Sequence, residues 1–197
     1  MIMKESRFKQ ALLERRIVPA VKHIEDMAEV LNIPWVTVII LLGGDINRLE
    51  EVLALRNRYP DKYLLVHIDL IDGIGKDEAG IRYLKRMGLD GIVSVKWQLL
   101  HYAKKNQMLT DQRLFLVDSE AIRTGLKIIK KVTPDAIEIL PATVPKFVID
   151  EFHRVTDLSI LGGGLLRTEQ DVRSALANGL SAVTASHRSL WNLALTE

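Results

Sequence analysis

Three consecutive glycines, Gly162, Gly163 and Gly164, end a short apolar run late in the chain, and a helical pattern opens soon after at Thr168. Further on, Ala182-Val183-Thr184-Ala185-Ser186 closes another short strand. Glycine carries no Cβ, so its backbone N–H can approach an anion closely. A helix N-terminus that follows adds unpaired N–H groups and the positive end of its dipole. Two such strand–helix joints in succession, with Gly163, Gly164, Thr184 and Ser186 at the strand ends, form the phosphate cup of a (β/α)8 barrel. The chemistry to expect is recognition of a small phosphorylated molecule. The plainer alternative is that the glycines only make a tight turn.

Other residues could do chemistry at the same end. His67 and Asp69 lie two apart on an apolar strand pattern, so both face one side, and such a pair can hold a divalent ion. The remaining histidines, His23, His101, His153 and His187, fall outside the strand ends, so no metal and no cofactor are expected. Lys96 ends a strand and could form a Schiff base or act as an acid, with Glu138 two strands away. The competing reading is that Lys96 balances Asp69 and Glu138 around a polar ligand. A carboxylate inside a barrel needs partners, and ligand hydroxyls would serve Glu138.

The elements that must position these residues alternate between short β-branched runs and longer helical patterns. The strands read as Ile17–Val21, Val36–Leu42, Tyr63–Leu70, Gly91–Val95, Leu114–Asp118, Ala136–Leu140, Leu158–Gly162 and Ala182–Ala185. Each is followed by a helical pattern, the last running from His187 to Leu195, and Lys4–Arg15 reads as an extra helix that could cap the bottom. Asp45, Asp77 and Thr168 stand where helices begin, Gly88 and Gly179 where helices end. Eight units close a barrel where five or six would leave an open sheet. The fold class expected is α/β, a single (β/α)8 TIM-type barrel with an extra N-terminal helix.

At 197 residues the chain suffices for one sizeable core, so one domain over residues 1–197 is expected. A hydrophobic fraction of 48% and a charged fraction of 26% are ordinary for a globular protein. The longest apolar stretch, Trp35 to Leu42, is of strand length and not of membrane-spanning length. The opening Met1-Ile2-Met3-Lys4-Glu5-Ser6 lacks a signal-peptide hydrophobic region, and there is no cysteine, so a cytoplasmic location is expected. The net charge of +2 is too mild to signal nucleic-acid binding by itself. Basic residues do gather locally, at Lys85-Arg86, Lys104-Lys105 and Lys130-Lys131 among others; solvated helix faces are the ordinary reading.

Several motifs in order carry a more specific message: Ile17-Val18-Pro19-Ala20-Val21, Val66 to Gly73 with Lys76-Asp77, Asp90 to Lys96, Gln112 to Ser119, Pro134 to Pro141, Gly163-Gly164-Leu165 and Ser189-Leu190-Trp191. With these the chain resembles the glycerol-3-phosphate-responsive antiterminator family, bacterial regulators of the glycerol uptake operon. The resemblance implies a cytoplasmic (β/α)8 barrel with no known catalytic step. It implies that glycerol-3-phosphate binds, and that the liganded form acts on leader messenger RNA to prevent early termination. The phosphate would sit on Gly163, Gly164 and the Thr184–Ser186 strand end, and barrel geometry puts the glycerol hydroxyls near Asp69, Lys96 and Glu138. RNA would meet a basic surface including Lys85, Arg86, Lys104, Lys105, Lys130 or Lys131; this part rests on the resemblance alone. A homodimer would widen that surface.

The chain departs from the family pattern at Val95 and Ala185, where threonine is usual, at Ala142, where glycine is usual, and at Gly162, where alanine is usual. Two hydroxyls are then missing around the ligand. Each lost hydrogen bond to a charged group costs about 1.5–3 kcal/mol, enough to weaken binding or change ligand preference. The alternative function is a phosphate-binding barrel enzyme, an isomerase, epimerase or lyase acting on a phosphorylated triose or sugar, with Asp69, Lys96 and Glu138 as its acid–base set.

Overall fold

The computed structural model describes residues 2–193 and 195. Met1, Ala194, Thr196 and Glu197, at the ends of the expected domain, lie outside the described residues. Eight parallel strands close into a barrel, each beside its neighbours in sequence and the last beside the first. They are β1 (Ile17–Val21), β2 (Val38–Leu41), β3 (Tyr63–His67), β4 (Gly91–Ser94), β5 (Leu109–Phe115), β6 (Ala136–Leu140), β7 (Ser159–Gly163) and β8 (Ala182–Ala185). Closure is set by Val18 opposite Thr184, which joins β1 to β8.

The helices are α1 (Ile2–Arg15), α2 (Met27–Leu31), α3 (Ile46–Arg56), α4 (Glu78–Arg86), α5 (Trp97–Lys105), α6 (Ser119–Val132), α7 (Lys146–His153) and α8 (Glu169–Ala177). Several of their starts are fixed by side-chain caps. The carboxylate of Asp45 accepts from the N–H of Asn47 and Arg48, and Asp77 and Asp118 accept from Gly80 and Ala121. Gly88 and Gly179 follow α4 and α8 with φ of 89° and 107°, the left-handed conformation that reverses a chain after a helix.

Burial explains the layers. Helix α1 sends Phe8 and Leu12 into the interior with Val18, Ile40, Leu65, Val93, Leu109, Leu161 and Ala182, so it plugs the amino end of the barrel. The outward faces of the strands pack on the helices in two further apolar clusters. Asp90 and Asp135, just ahead of β4 and β6, each accept a backbone N–H from the neighbouring strand, from Leu64 and Thr110. These contacts pin strand register at the amino end.

Three elements differ from the sequence expectation by more than two residues, while β2, β4 and β7 shift by one or two at their ends. The third strand stops at His67, and Ile68–Leu70 forms a 3-10 turn that carries Asp69. The fifth strand begins at Leu109, well before the apolar run that suggested Leu114–Asp118. Its polar residues Thr110, Asp111, Gln112 and Arg113 are all buried: Arg113 meets Glu138 inside the barrel, Thr110 bonds Asp135, and Gln112 donates to the carbonyls of Ser94 and Val95. After β8 the described residues hold only a 3-10 turn, Arg188–Leu190, in place of a helix from His187 to Leu195. Arg188 pairs there with Asp26 and Glu29, and the buried Trp191 indole donates to the carbonyl of Ala185 at 2.8 Å, which holds the chain against the barrel.

Candidate ligand site at the carboxyl end of the barrel

Alternation along the strands directs Arg113, Glu138 and Thr184 into the barrel, one from each of β5, β6 and β8. Arg113 Nε donates to Glu138 Oε2 at 2.5 Å, and the Thr184 hydroxyl donates to Glu138 Oε1. Both oxygens of this fully buried carboxylate are therefore engaged. The line of contacts passes over β7 at Gly163, where a Cβ would fall 2.5 Å from Thr184 Oγ1 and 2.6 Å from Glu138 Oε1. Glycine at 163 is thus required by the side chains that cross it.

Above this line lies a cavity of about 200 Å³, lined by Ala20, Lys22 and Leu42 on one side and by Arg113, Glu138, Leu140, Gly164–Leu166 and Thr184–Ser186 on the other. Its wall includes a left-handed turn, with φ of 77° at Gly164 and 62° at Leu165. Leucine enters that region at a cost of about 1–2 kcal/mol. Strain of this kind persists where the surroundings over-determine it, often beside ligands.

Beneath Arg113, Asp111 is buried in the barrel. Burial, and then the negative charge of Glu138, push its carboxyl well above the usual carboxylate range. Its Oδ1 finds no hydrogen-bond partner among the described residues, whereas Arg113 donates to Glu138. Burial and the charge of Arg113 lower His67 to about 4, so its ring is neutral near pH 7.

The sequence-predicted residues divide into two groups. Gly163, Gly164, Thr184, Ser186 and Glu138 come together at the cavity. Asp69 and Lys96 do not line it. Asp69 Oδ2 accepts from the Ser94 hydroxyl at 2.8 Å and from the Val95 N–H at 3.1 Å, and Lys96 Nζ stands 3.8 Å from Oδ1. His67 Nδ1 lies 3.7 Å from Asp69 Oδ2, brought there by the 3-10 turn rather than by strand alternation. Among the described residues no group of three or more His, Asp or Glu is placed to hold a metal ion.

The N-terminus of α8, expected to face the anion, is capped in part by its own residues. The Asp171 carboxylate accepts from the N–H of Arg167 and Thr168, which lowers its pKa, and the Thr168 hydroxyl accepts from the N–H of Asp171. The departures from the family pattern also look different in three dimensions. Ala185 belongs to the apolar cluster of Ile17 and Leu190 and also borders the cavity. A Cβ at Gly162 would fall 2.3 Å from Leu180 and 3.0 Å from the Ala142 Cβ. Gly162 and Ala142 are thus a packing pair. Of the two hydroxyls expected to be missing, the one at Ala185 falls on the cavity wall, whereas Val95 is exposed beside Asp69 and does not line the cavity.

Arg113 is the residue that sequence reasoning missed. The available signal was its place two residues before Phe115, in a run whose alternate positions, Leu109, Asp111 and Arg113, face the interior.

The six basic residues occupy the last turns of three consecutive helices, Lys85 and Arg86 on α4, Lys104 and Lys105 on α5, Lys130 and Lys131 on α6. Those turns lie at the amino end of the barrel, opposite the cavity. Lys85 reaches the carbonyl of Gln107 just ahead of β5, and Lys104 reaches Thr133 and Asp135 just ahead of β6. Lys131 covers the Trp97 ring with Nζ 3.5 Å from its centroid. Arg82, Lys85, Arg86 and Asn106 border a groove of about 370 Å³.

Residues 17–191 match the family model described as glycerol-3-phosphate responsive antiterminator. The chain belongs to that family. Its barrel is similar to the glycerol uptake operon antiterminator regulatory protein of Listeria monocytogenes, with a TM-score of 0.82 and 32% identity over 90% of this chain and 95% of that one. It is similar also to a glycerol uptake operon antiterminator-related protein of Thermotoga maritima, with a TM-score of 0.78 and 30% identity over 91% and 99% of the two chains. An uncharacterized protein of Escherichia coli, YgcP, is 29% identical over 93% of this chain and 95% of its own length. Decarboxylase and epimerase barrels at 13% and 12% identity share the fold alone. For a member of this antiterminator family, the candidate ligand site is a cavity whose lining acid, Glu138, is already paired.

Proposed function

We propose that this antiterminator-family barrel is a regulator without catalytic activity. It binds glycerol-3-phosphate and, when liganded, binds leader messenger RNA to prevent early termination in genes of glycerol uptake and metabolism, acting in the cytoplasm. The observation that carries this reading is the cavity at the ends of β7 and β8 in a chain of this family. The phosphate rests on the backbone at Gly163 and Gly164 and on the Ser186 hydroxyl, beside Thr184, whose own hydroxyl proton goes to Glu138. The glycerol end extends over Glu138, with the Asp69–Lys96 pair bounding the mouth.

The paired state of the acids favours sensing over turnover. A general base must turn a lone pair toward a substrate proton, and Glu138 is held in place by a donor at each oxygen, Arg113 at one and Thr184 at the other. Lys96 is half exposed and ion-paired, unlike a Schiff-base lysine in an apolar pocket.

RNA meets the amino-end face through phosphate contacts from the last turns of α4, α5 and α6. Ligand and RNA then occupy opposite ends of the barrel, and coupling requires that glycerol-3-phosphate favour the state that binds RNA better. A homodimer would double the basic face.

The test is thermal unfolding across a panel of phosphoesters, followed by retention of leader RNA with and without the best ligand. The expected result is a shift of several degrees for glycerol-3-phosphate, no product on long incubation, and ligand-dependent RNA retention. Turnover abolished by Lys96→Ala would overturn the reading in favour of an enzyme, and ligand binding without RNA retention at low salt would point to a protein partner.

A further inference from the structure

Arg113 is held by one edge only. Its Nε–H donates to Glu138, while no residue among those described engages Nη1 or Nη2, and the guanidinium borders the cavity. A guanidinium cannot lose its proton, and its two Nη groups form a flat fork suited to two oxygens of one anion. Glu138, in turn, cannot swing toward a ligand without releasing Thr184 or Arg113. Lys22 is the second cation at the cavity, exposed at the end of β1 on the facing wall. The side-chain groups offered to a ligand are thus donors: two cations and the Ser186 hydroxyl. Glu138, the carboxylate in the cavity lining, already accepts from Arg113 and Thr184.

We propose that Arg113 is the specificity-determining residue of this cavity, binding the anionic group of a small ligand through Nη1 and Nη2, while Glu138 and Thr184 are positioning residues that aim it. The proposal rests on the ligand half of the function proposed above and names the residue that reads the ligand's charge. Glu138 fixes the guanidinium plane through Nε, Thr184 fixes Glu138, and Gly163 leaves the space they cross. The cup formed by Gly164 and Ser186 then faces a prealigned fork. A ligand without an anionic group leaves that fork facing solvent and gains little from it. Discrimination between a phosphoester and its parent alcohol follows from Arg113 together with the backbone cup.

The experiment is calorimetric titration with glycerol-3-phosphate, inorganic phosphate, glycerate and glycerol, on the wild type, Arg113→Lys, the double variant Arg113→Gln with Glu138→Gln, and Thr184→Val. The double variant avoids leaving Glu138 charged and unpaired, and its folding is checked by circular dichroism. A charge-assisted contact predicts an affinity for glycerol-3-phosphate lowered by about tenfold to a hundredfold in the double variant. Its preference over glycerol should shrink by a similar factor. Arg113→Lys should fail to restore affinity, because an ammonium cannot hold Glu138 and the ligand in one plane. Thr184→Val should reduce affinity less and flatten the rise in affinity as the phosphate loses its second proton near pH ~6, the signature of a misaligned fork rather than a damaged fold.

Wild-type affinity for glycerol-3-phosphate in the double variant would overturn the proposal and leave the proposed function standing. Arg113-dependent binding of glycerate without binding of either phosphate compound would do the reverse. No binding of any anion by the wild type would overturn both.

Discussion

Gly163 lies so close to Glu138 that a Cβ at position 163 would sit 2.6 Å from Oε1 of the carboxylate. The middle glycine of the triplet therefore serves the interior of the barrel, where it lets Thr184 and Arg113 reach one buried acid from two sides. Its neighbours have other tasks. Gly162 makes room for Leu180 and Ala142 behind the strand, and Gly164 adopts the positive φ that opens the cavity wall.

Gly163→Ala and Gly164→Ala should part company. At 163 the new methyl group has to displace a buried hydrogen-bonded carboxylate, which predicts a destabilisation of about 2 kcal/mol or more. At 164 the nearest atom to a Cβ is 3.7 Å away, so the penalty is conformational, about 1–2 kcal/mol. Chemical denaturation of the two variants measures the difference. Equal destabilisation would contradict the role given to Gly163.

His67 makes stability depend on acid. Its native pKa of about 4 lies below the ordinary histidine value of 6.5, first through burial and then through Arg113. The stability linked to the neutral ring is fully present above pH 6.5, declines as the unfolded chain takes up a proton, and is gone once pH falls through about 4. The shift corresponds to about 3 kcal/mol. His67→Gln should show a shallower fall of unfolding free energy between pH 6.5 and 4 than the wild type.

Asp111 acts with the opposite sign. Its native pKa is raised by burial and by Glu138, so the stability tied to its proton is complete below the unfolded value of 3.8 and is lost as pH rises through the native one. Asp111→Asn keeps the shape without a titrating proton. The variant should gain on the wild type as pH increases, in urea unfolding followed from about pH 4 to 9.

Lys85 and Arg86 can be tested apart from the ligand. Reversing both to glutamate should weaken RNA retention at all sequences and lower the salt slope by about 2, one for each phosphate that is no longer neutralised. Affinity for glycerol-3-phosphate should stay unchanged, since the cavity lies at the other end of the barrel. Lys104→Ala should affect stability as well, because Lys104 bonds the Thr133 carbonyl and stands 3.9 Å from Asp135.

Much of the fold was legible in the residues. Alternating β-branched and helical patterns mark the bounds of β1, β6 and β8 to the residue, and Asp45, Asp77 and Thr168 cap helices as their types require. The fifth strand was not legible, because Thr110 to Arg113 has the composition of a loop. A charged run reads as solvated unless its partners are known, and Glu138, which receives Arg113, lies 25 residues away in sequence. The capping of α8 was half legible. Thr168 is visible as a cap from its type, whereas the return of Asp171 to the N–H groups before it depends on how the loop folds.

What the sequence determined by itself was periodicity, caps, the count of eight units, the glycines and the family resemblance, all properties of neighbours along the chain or of motif order. The tertiary structure decided which polar groups meet. It joined Arg113, Glu138 and Thr184 across the barrel, left Asp69 and Lys96 outside the cavity, and made Gly162 and Ala142 a packing pair. The reason is physical. Hydrogen bonding and burial of charge depend on distance in space, and barrel closure brings together side chains whose separation in sequence carries no mark of their meeting.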